Sequence, residues 1–384
     1  MRLLRVQVPD FRVLKNIDLS FGKDFFPQIF PIGSQNGGGK STLLQLIFIL
    51  LHCSGDPEKI EYVVNVLHRC QLEDELEQKT LAIFEILTDN REEVKLDFFI
   101  CRDAYVKQFV SDLDGQFVYD FGDVYIKHFV SDIDGQFLYL CQAKNQKNQE
   151  IFLLCKFSQA PQEECQLFMK ELSSKIFLAA PSTQVFIFLP KATNKSLFQI
   201  NQGNPDSSNY YLAMADVKKK LSNLFTYDFL PVELLINYFI MARDQDFAQA
   251  IETGEYGNNY QLIRQNLNSI LSDKEINLDK DISGITFKFK GDTNGEELYP
   301  EDLSHGELKR LSIYLWLKYR RIKDAIVLMD EIEIALHPDW QYKIIEDLQE
   351  WEPSNQYILA THSYELCQAL TPAHVKEIEP KLLK

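Results

Sequence analysis

Phe30-Pro-Ile-Gly-Ser-Gln-Asn-Gly-Gly-Gly-Lys-Ser-Thr-Leu-Leu44 is the stretch from which the rest of the chain is read. An apolar run, Phe25 to Ile32, enters a glycine-rich turn, and the strongly apolar segment from Ser41 to about His52 leaves it as a helix. Such a turn aims several backbone N–H groups at one point, and the helix N-terminus adds a partial positive charge, so the place suits phosphate. Asn36, Gly37, Gly38 and Gly39 form the cradle, Lys40 would reach the β- and γ-phosphates, the Ser41 hydroxyl would hold Mg²⁺, and Thr42 closes the motif. The full pattern asks for glycine at position 34, where this chain has Ser34 preceded by Gly33.

Further along lies Ala325-Ile-Val-Leu-Met-Asp-Glu331, 290 residues separating Lys40 from Asp330. Five apolar residues read as a buried parallel strand, and two carboxylates stand where it would emerge. Asp330 can reach a metal's water shell while Glu331, facing the other way, polarises an attacking water. Leu303-Ser-His-Gly-Glu307 heads a helix running on from Leu308 to Arg320, with Ser304 as its N-cap and Gly306 where backbone can approach an anion. Tyr357-Ile-Leu-Ala-Thr-His362 is a short apolar strand ending in a histidine.

Together these segments resemble the ABC-type ATPases. Asn36 to Thr42 is similar to their Walker A loop, Leu303 to Glu307 to their signature motif, Asp330-Glu331 to Walker B with its catalytic glutamate, and His362 to their switch histidine. Asp330-Glu-Ile-Glu-Ile-Ala-Leu-His-Pro338 followed by Ala360-Thr-His-Ser, with Phe11-Arg12 near the start, resembles more narrowly the branch of SMC-type, recombination-repair and OLD-family ATPases. The resemblance implies an α/β fold: a split ABC-type P-loop nucleotide-binding domain, mixed sheet plus antiparallel β subdomain, with a helical insertion. It also implies ATP and Mg²⁺ as ligands and Arg12 as a phosphate contact. Each ATP would lie between the Walker A loop of one subunit and Ser304, Gly306 and Glu307 of another, so a homo-dimer or higher homo-oligomer would form through the ATP sites. No glutamine loop is placed; Gln142 and Gln184 are the candidates.

The rest of the chain bounds this reading. A net charge of −16 over 384 residues excludes a generic cationic nucleic-acid coat. With 45% hydrophobic and 25% charged residues the chain is an ordinary globular one, not a disordered one. No apolar run is long enough for a membrane helix and no signal peptide is visible. Seven scattered cysteines without a Cys-x-x-Cys pair fit reduced thiols, hence a cytoplasmic protein without a zinc site.

Four segments follow: an ATPase lobe over 1–102, an antiparallel β region over 103–207, a helical insertion over 208–273 and a second lobe over 274–384. Within the β region Tyr105 to Tyr119 recurs as Tyr125 to Tyr139, with eleven of fifteen positions identical. Each copy carries Asp-Gly between alternating apolar residues, a hairpin signal rather than a calcium loop, which would need more ligands and flanking helices. There is no long heptad run, and residues 363–384 are too few for the nuclease domain that OLD-family proteins append. The architecture therefore resembles stand-alone ATPases of bacterial anti-phage systems, Septu-like or PARIS-like, which pair with a separate effector nuclease. The alternative is a DNA-clamping repair or chromosome-type ATPase, for which Lys218-Lys219-Lys220 and Arg320-Arg321 would supply charge. A transporter subunit is a third, weaker class.

Overall fold

A computed structural model gives the fold; it describes the chain apart from residues 36, 74–75, 103–104, 106–116, 121–124, 128–137, 145–149, 158–161, 190–206, 228–231, 280–281, 283, 292–296 and 379–384. Two compact units emerge. The first comprises Met1–Phe225, Asp324–Ile332 and Ser354–Lys384; the second comprises Thr226–Lys323 and Glu333–Pro353.

The first unit is built on two six-stranded sheets. One runs in the order β2 (Leu14–Ser20), β1 (Arg2–Phe11), β4 (Gln78–Leu87), β5 (Glu93–Cys101), β9 (Glu150–Phe157) and β8 (Leu138–Lys144), every pairing antiparallel. In β1, β2 and β4 buried residues alternate with more exposed ones, which is the period-two pattern of a sheet with one covered face. The other sheet contains β3 (Ile29–Gly33), β10 (Ile176–Ala180), β11 (Leu224–Thr226), β14 (Ile326–Asp330), β15 (Gln356–Thr361) and β16 (Lys376–Glu377), in the order β11-β10-β14-β15-β3-β16. Its β10, β14, β15, β3 and β16 are parallel. Every residue of β14 and β15 is buried, as a parallel strand covered on both faces requires. The two sheets are tied through Gln356, whose amide oxygen accepts from Leu3 N at 2.7 Å and whose amide nitrogen donates to Leu3 O at 3.0 Å.

Helix α1 (Lys40–Phe48) packs on β10, β14 and β15. From Leu43 to Phe48 every residue is buried, Gln45 included, so the helix is covered on all sides and belongs inside the molecule. It does not run unbroken to His52 as the apolar pattern predicts. From Ile49 to Cys53 it widens into a π-helical turn. That turn stacks His52 on Phe48 at 4.7 Å between ring centroids and brings its Nδ1 to 2.6 Å from Ser173 O; such insertions accommodate one side-chain placement the α-helix cannot. Helices α2 (Ile60–Leu67), α3 (Gln162–Lys175) and α4 (Ser207–Lys220) belong to this unit as well, as does the short helix Tyr364–Gln368.

The second unit holds α5 (Val232–Thr253), α6 (Asn259–Ile270), an antiparallel hairpin of β12 (Lys274–Leu278) and β13 (Ile285–Phe289), α7 (His305–Tyr319) and α8 (Pro338–Trp351). Its buried residues include Leu235, Phe239, Leu267, Phe287, Leu311 and Leu348.

The units cut across the four segments read from the sequence. Strands β14 and β15 complete the parallel sheet begun by β3, so residues 324–332 and 354–384 fold with the N-terminal half. The predicted all-helical segment 208–273 is divided too: α4 belongs to the first unit, α5 and α6 to the second, with β11 between. The antiparallel sheet is not confined to 103–207: β2, β1, β4 and β5 come from residues 2–101, and 103–207 adds β8 and β9 but also α3 and β10 of the parallel sheet. Both Asp-Gly turns of the repeat lie outside the described residues. The pairing seen there joins the end of one copy, β6 (Phe117–Asp120), to the start of the next, β7 (Tyr125–Lys127).

Candidate functional site

Register fixes the site. Gly33 at the end of β3 pairs with Thr361 of β15, and Ala360 pairs with Asp330 at the end of β14. Three parallel strands therefore end together, and the loop after β3, the carboxylates after β14 and the histidine after β15 meet at one sheet edge. The carboxyl edge of a parallel sheet is where α/β folds bind ligands, because side chains and loops converge there free of the ladder.

Lys40 is 6% exposed, and its ammonium donates to Ser34 O at 3.1 Å, to Ser34 Oγ at 3.0 Å and to His362 Nε2 at 2.9 Å. The ammonium has only donors, so Nε2 is the accepting nitrogen of the imidazole. The Ser41 hydroxyl donates to Asp330 Oδ1 at 3.0 Å, and Asp330 is 2% exposed. Thr42 follows on α1, half-buried. Glu331 is half-buried and holds φ +51°, a region that costs a non-glycine residue energy. Its N–H donates to Ala360 O at 2.9 Å, which fixes that strained turn.

The loop itself is tight. Gly39, the N-cap of α1, has φ +93°, and a Cβ there would stand 2.6 Å from Leu14 Cδ2 and 2.9 Å from Val13 Cγ2. A Cβ on Gly38 would run into the Ser34 side chain. The Ser34 that departs from the sequence pattern thus occupies the loop interior and accepts from Lys40, a role that spacing alone does not reveal. Gly37 has φ +81°, and Asn36 lies outside the described residues. Glycines that keep the cradle open, a buried lysine inside it and a hydroxyl facing a carboxylate fit a nucleotide phosphate and Mg²⁺: Lys40 with the loop N–H groups would hold the phosphates, Ser41 and Asp330 the metal.

Arg12 sits at φ +55° in the turn between β1 and β2. Val13 and Leu14 beside it stand against Gly39, but Arg12 itself lines a cleft of about 290 Å³ with Asp10, Lys15, Arg69 and Lys79, to which no residue of the 34–41 loop contributes. Of the glutamine candidates, the Gln184 carbonyl accepts from Gln45 Nε2.

Ser304, Gly306 and Glu307 belong to the second unit. Ser304 caps α7 as predicted: its Oγ accepts from Glu307 N at 3.3 Å, while Glu307 Oε2 accepts from Ser304 N at 2.9 Å, a reciprocal capping box. Glu307 Oε1 also accepts from Lys274 Nζ at 2.9 Å, and the residue is 4% exposed. Burial pushes the carboxyl of Glu307 up, but Lys274 and the Ser304 donors outweigh it and hold it below the usual carboxylate value. A Cβ on Gly306 would meet Trp340 at 2.9 Å and Ala335 O at 3.0 Å, so packing alone already demands glycine there. Lys274, which no motif or spacing singles out, is the partner that lets Glu307 be buried.

Among the described residues no helix is long and apolar enough to cross a membrane. Residues 186–368 match the family model described as "AAA domain, putative AbiEii toxin, Type IV TA system". The chain is 32% identical over 96 residues to the Retron Vc95 probable ATPase of Vibrio cholerae serotype O1 biovar El Tor, a match covering 22% of this chain and 19% of that protein. It is 40% identical over 51 residues to the Retron Ec83 probable ATPase of Escherichia coli, covering 13% and 9%. Among solved structures, an SMC head bound to the C-winged helix domain of ScpA aligns over 96% of this chain and 92% of that one, at 12% identity and a TM-score of 0.45. By sequence, then, parts of the chain are similar to ATPases.

Proposed function

We propose that the chain is a Mg²⁺-dependent ATPase that assembles through its ATP sites and, by its nucleotide state, governs a separate effector protein, a nuclease of bacterial anti-phage defence. The observation that carries the ATPase reading is the meeting of Lys40, Ser41, Asp330, Glu331 and His362 where β3, β14 and β15 end. The effector role leans on the architecture and on the likeness to retron ATPases.

In this mechanism Lys40 exchanges its bonds to Ser34 and His362 for phosphate oxygens, and the loop N–H groups share the charge. Bound Mg²⁺ would neutralise charge on the phosphates. Glu331 orients water and takes up its proton, its carboxylate held at the strand end by the strained backbone. His362, released by Lys40, turns toward the transferred group. Replacing Glu331 with Gln keeps the shape and removes the base: hydrolysis should fall by about 100-fold or more while ATP binding stays within a few-fold of wild type. An equally fast variant would overturn the assignment.

One observation favours the second reading, direct nucleic-acid contact. The Arg12 cleft gathers Arg12, Lys15, Arg69 and Lys79 against Asp10 and Glu73, a locally basic spot on an acidic chain. Burial and the neighbouring Arg12 charge lower the pKa of Arg69, as expected where cations crowd. DNA binding that weakens with salt and is lost in Arg12→Ala/Arg69→Ala would support it.

A further inference from the structure

The far end of the α5–α6 hairpin is apolar, rigid and acidic at once. Phe247, Ile251 and Tyr256 are 54%, 71% and 72% exposed. Phe247 and Ile251 are four residues apart on α5, so they share a face, and the Tyr256 ring lies 6.4 Å from that of Phe247. Large apolar side chains clustered in water are uncommon on an isolated surface, and aromatic ones are the residues that anchor protein contacts.

The turn that carries Tyr256 is fixed from within. Asp246 is 7% exposed; its Oδ1 accepts from Asn259 N at 2.7 Å and Asn259 Nδ2 at 2.8 Å, and its Oδ2 accepts from Tyr260 N at 2.9 Å. A carboxylate of α5 thereby caps the first turn of α6, whose own N-cap Asn258 makes no side-chain cap bond. Gly257 N donates to Asp246 O at 3.2 Å. The apolar residues are held in place before any partner arrives, which lowers the ordering cost of binding.

Charge says what the partner is. From Asp244 to Ile263 there is no lysine or arginine; Asp244 is paired with Arg243 at 2.8 Å and Asp246 is buried, which leaves Glu252 and Glu255 as the exposed acidic residues beside Ile251 and Tyr256. A second copy of the tip would set like charge against like charge. We propose that this tip docks a different protein, through an amphipathic helix whose apolar face is bordered by lysine or arginine. The inference does not need the ATPase reading.

The test uses the full-length protein and a labelled amphipathic helix of leucine and lysine, with its leucine–glutamate counterpart, titrated by fluorescence anisotropy at about 0.15 M salt. The expected result has two parts. Phe247→Ser/Ile251→Ser weakens binding of the lysine helix at least about tenfold, and Glu252→Lys/Glu255→Lys shifts preference to the glutamate helix. A control pair at exposed apolar positions of the first unit, Leu167→Ser/Leu212→Ser, stays near wild type. All these positions are exposed, and an unchanged far-ultraviolet circular dichroism spectrum and thermal midpoint show that each variant folds. Equal binding by wild type and the tip variants overturns the proposal. So does nucleotide-independent self-association of the wild type that the tip variant abolishes, since the face would then belong to a second copy.

Discussion

A proton on His52 has nowhere to be solvated. The ring is 1% exposed, stacked on Phe48, with Nδ1–H given to Ser173 O. Burial above all, then the charge of Lys59, pushes its pKa down to about 3. Between that value and the ordinary 6.5 the unfolded chain binds the proton and the folded chain does not, so stability is whole above 6.5 and is lost as pH falls through the window. By pH 5 this one group should cost about 2 kcal/mol. Thermal midpoints at pH 7 and pH 5 should therefore differ more in wild type than in His52→Gln, which keeps a donor but does not titrate; equal differences would remove His52 as the cause. At this scale legibility depends on how local the chemistry is. Lys40 and Ser41 could be read from seven adjacent residues because the loop's own backbone makes the site. Gly306 and Glu307 could be named, but their packing and pairing depend on Trp340 and Lys274, which no spacing connects to them.

Among the elements, α7 and α8 are joined by a buried ion pair. Arg310 Nε and Nη2 donate to Asp347 Oδ2 at 2.9 and 2.7 Å, Nη1 donates to Ile270 O at 3.0 Å, and the guanidinium lies 5.1 Å from the Trp340 ring. Both side chains are under 7% exposed. Removing one partner strands a charge, so Asp347→Ala should destabilise this unit by about 3–5 kcal/mol, whereas Arg310→Met/Asp347→Leu should cost much less. The protein offers a local probe: its three tryptophans, Trp316, Trp340 and Trp351, all belong to the second unit. Urea unfolding followed by tryptophan fluorescence reads that unit, and a double variant as damaged as Asp347→Ala would rule out the stranded charge. Strands β14 and β15 were legible because parallel strands are apolar throughout. The π-helical turn and β11 were not, since the first follows from a contact with Ser173 and the second from pairing with β10.

For the whole molecule, sequence order misleads where strands from the two ends of the chain share one sheet. Tyr357 of β15 pairs with Ile29 of β3, a register that no local pattern contains. The same arrangement puts Lys40, Ser41, Asp330, Glu331 and His362 in the first unit and Ser304, Gly306 and Glu307 in the second. If ATP is shared between the loop of one copy and the α7 N-terminus of another, nucleotide acts as glue between copies and hydrolysis dissolves it. Solution mass reads this directly. The 44.7 kDa chain should shift toward a dimer or larger assembly with ATP and Mg²⁺, and Glu331→Gln, which holds ATP unhydrolysed, should stay there. Ser304→Arg should abolish the shift while leaving ATP binding near wild type, because the bulk falls on the partner's nucleotide and not on its own loop. A mass indifferent to nucleotide in both proteins would mean that ATP acts within a fixed assembly, and the α7 terminus would then be a helix cap and nothing more.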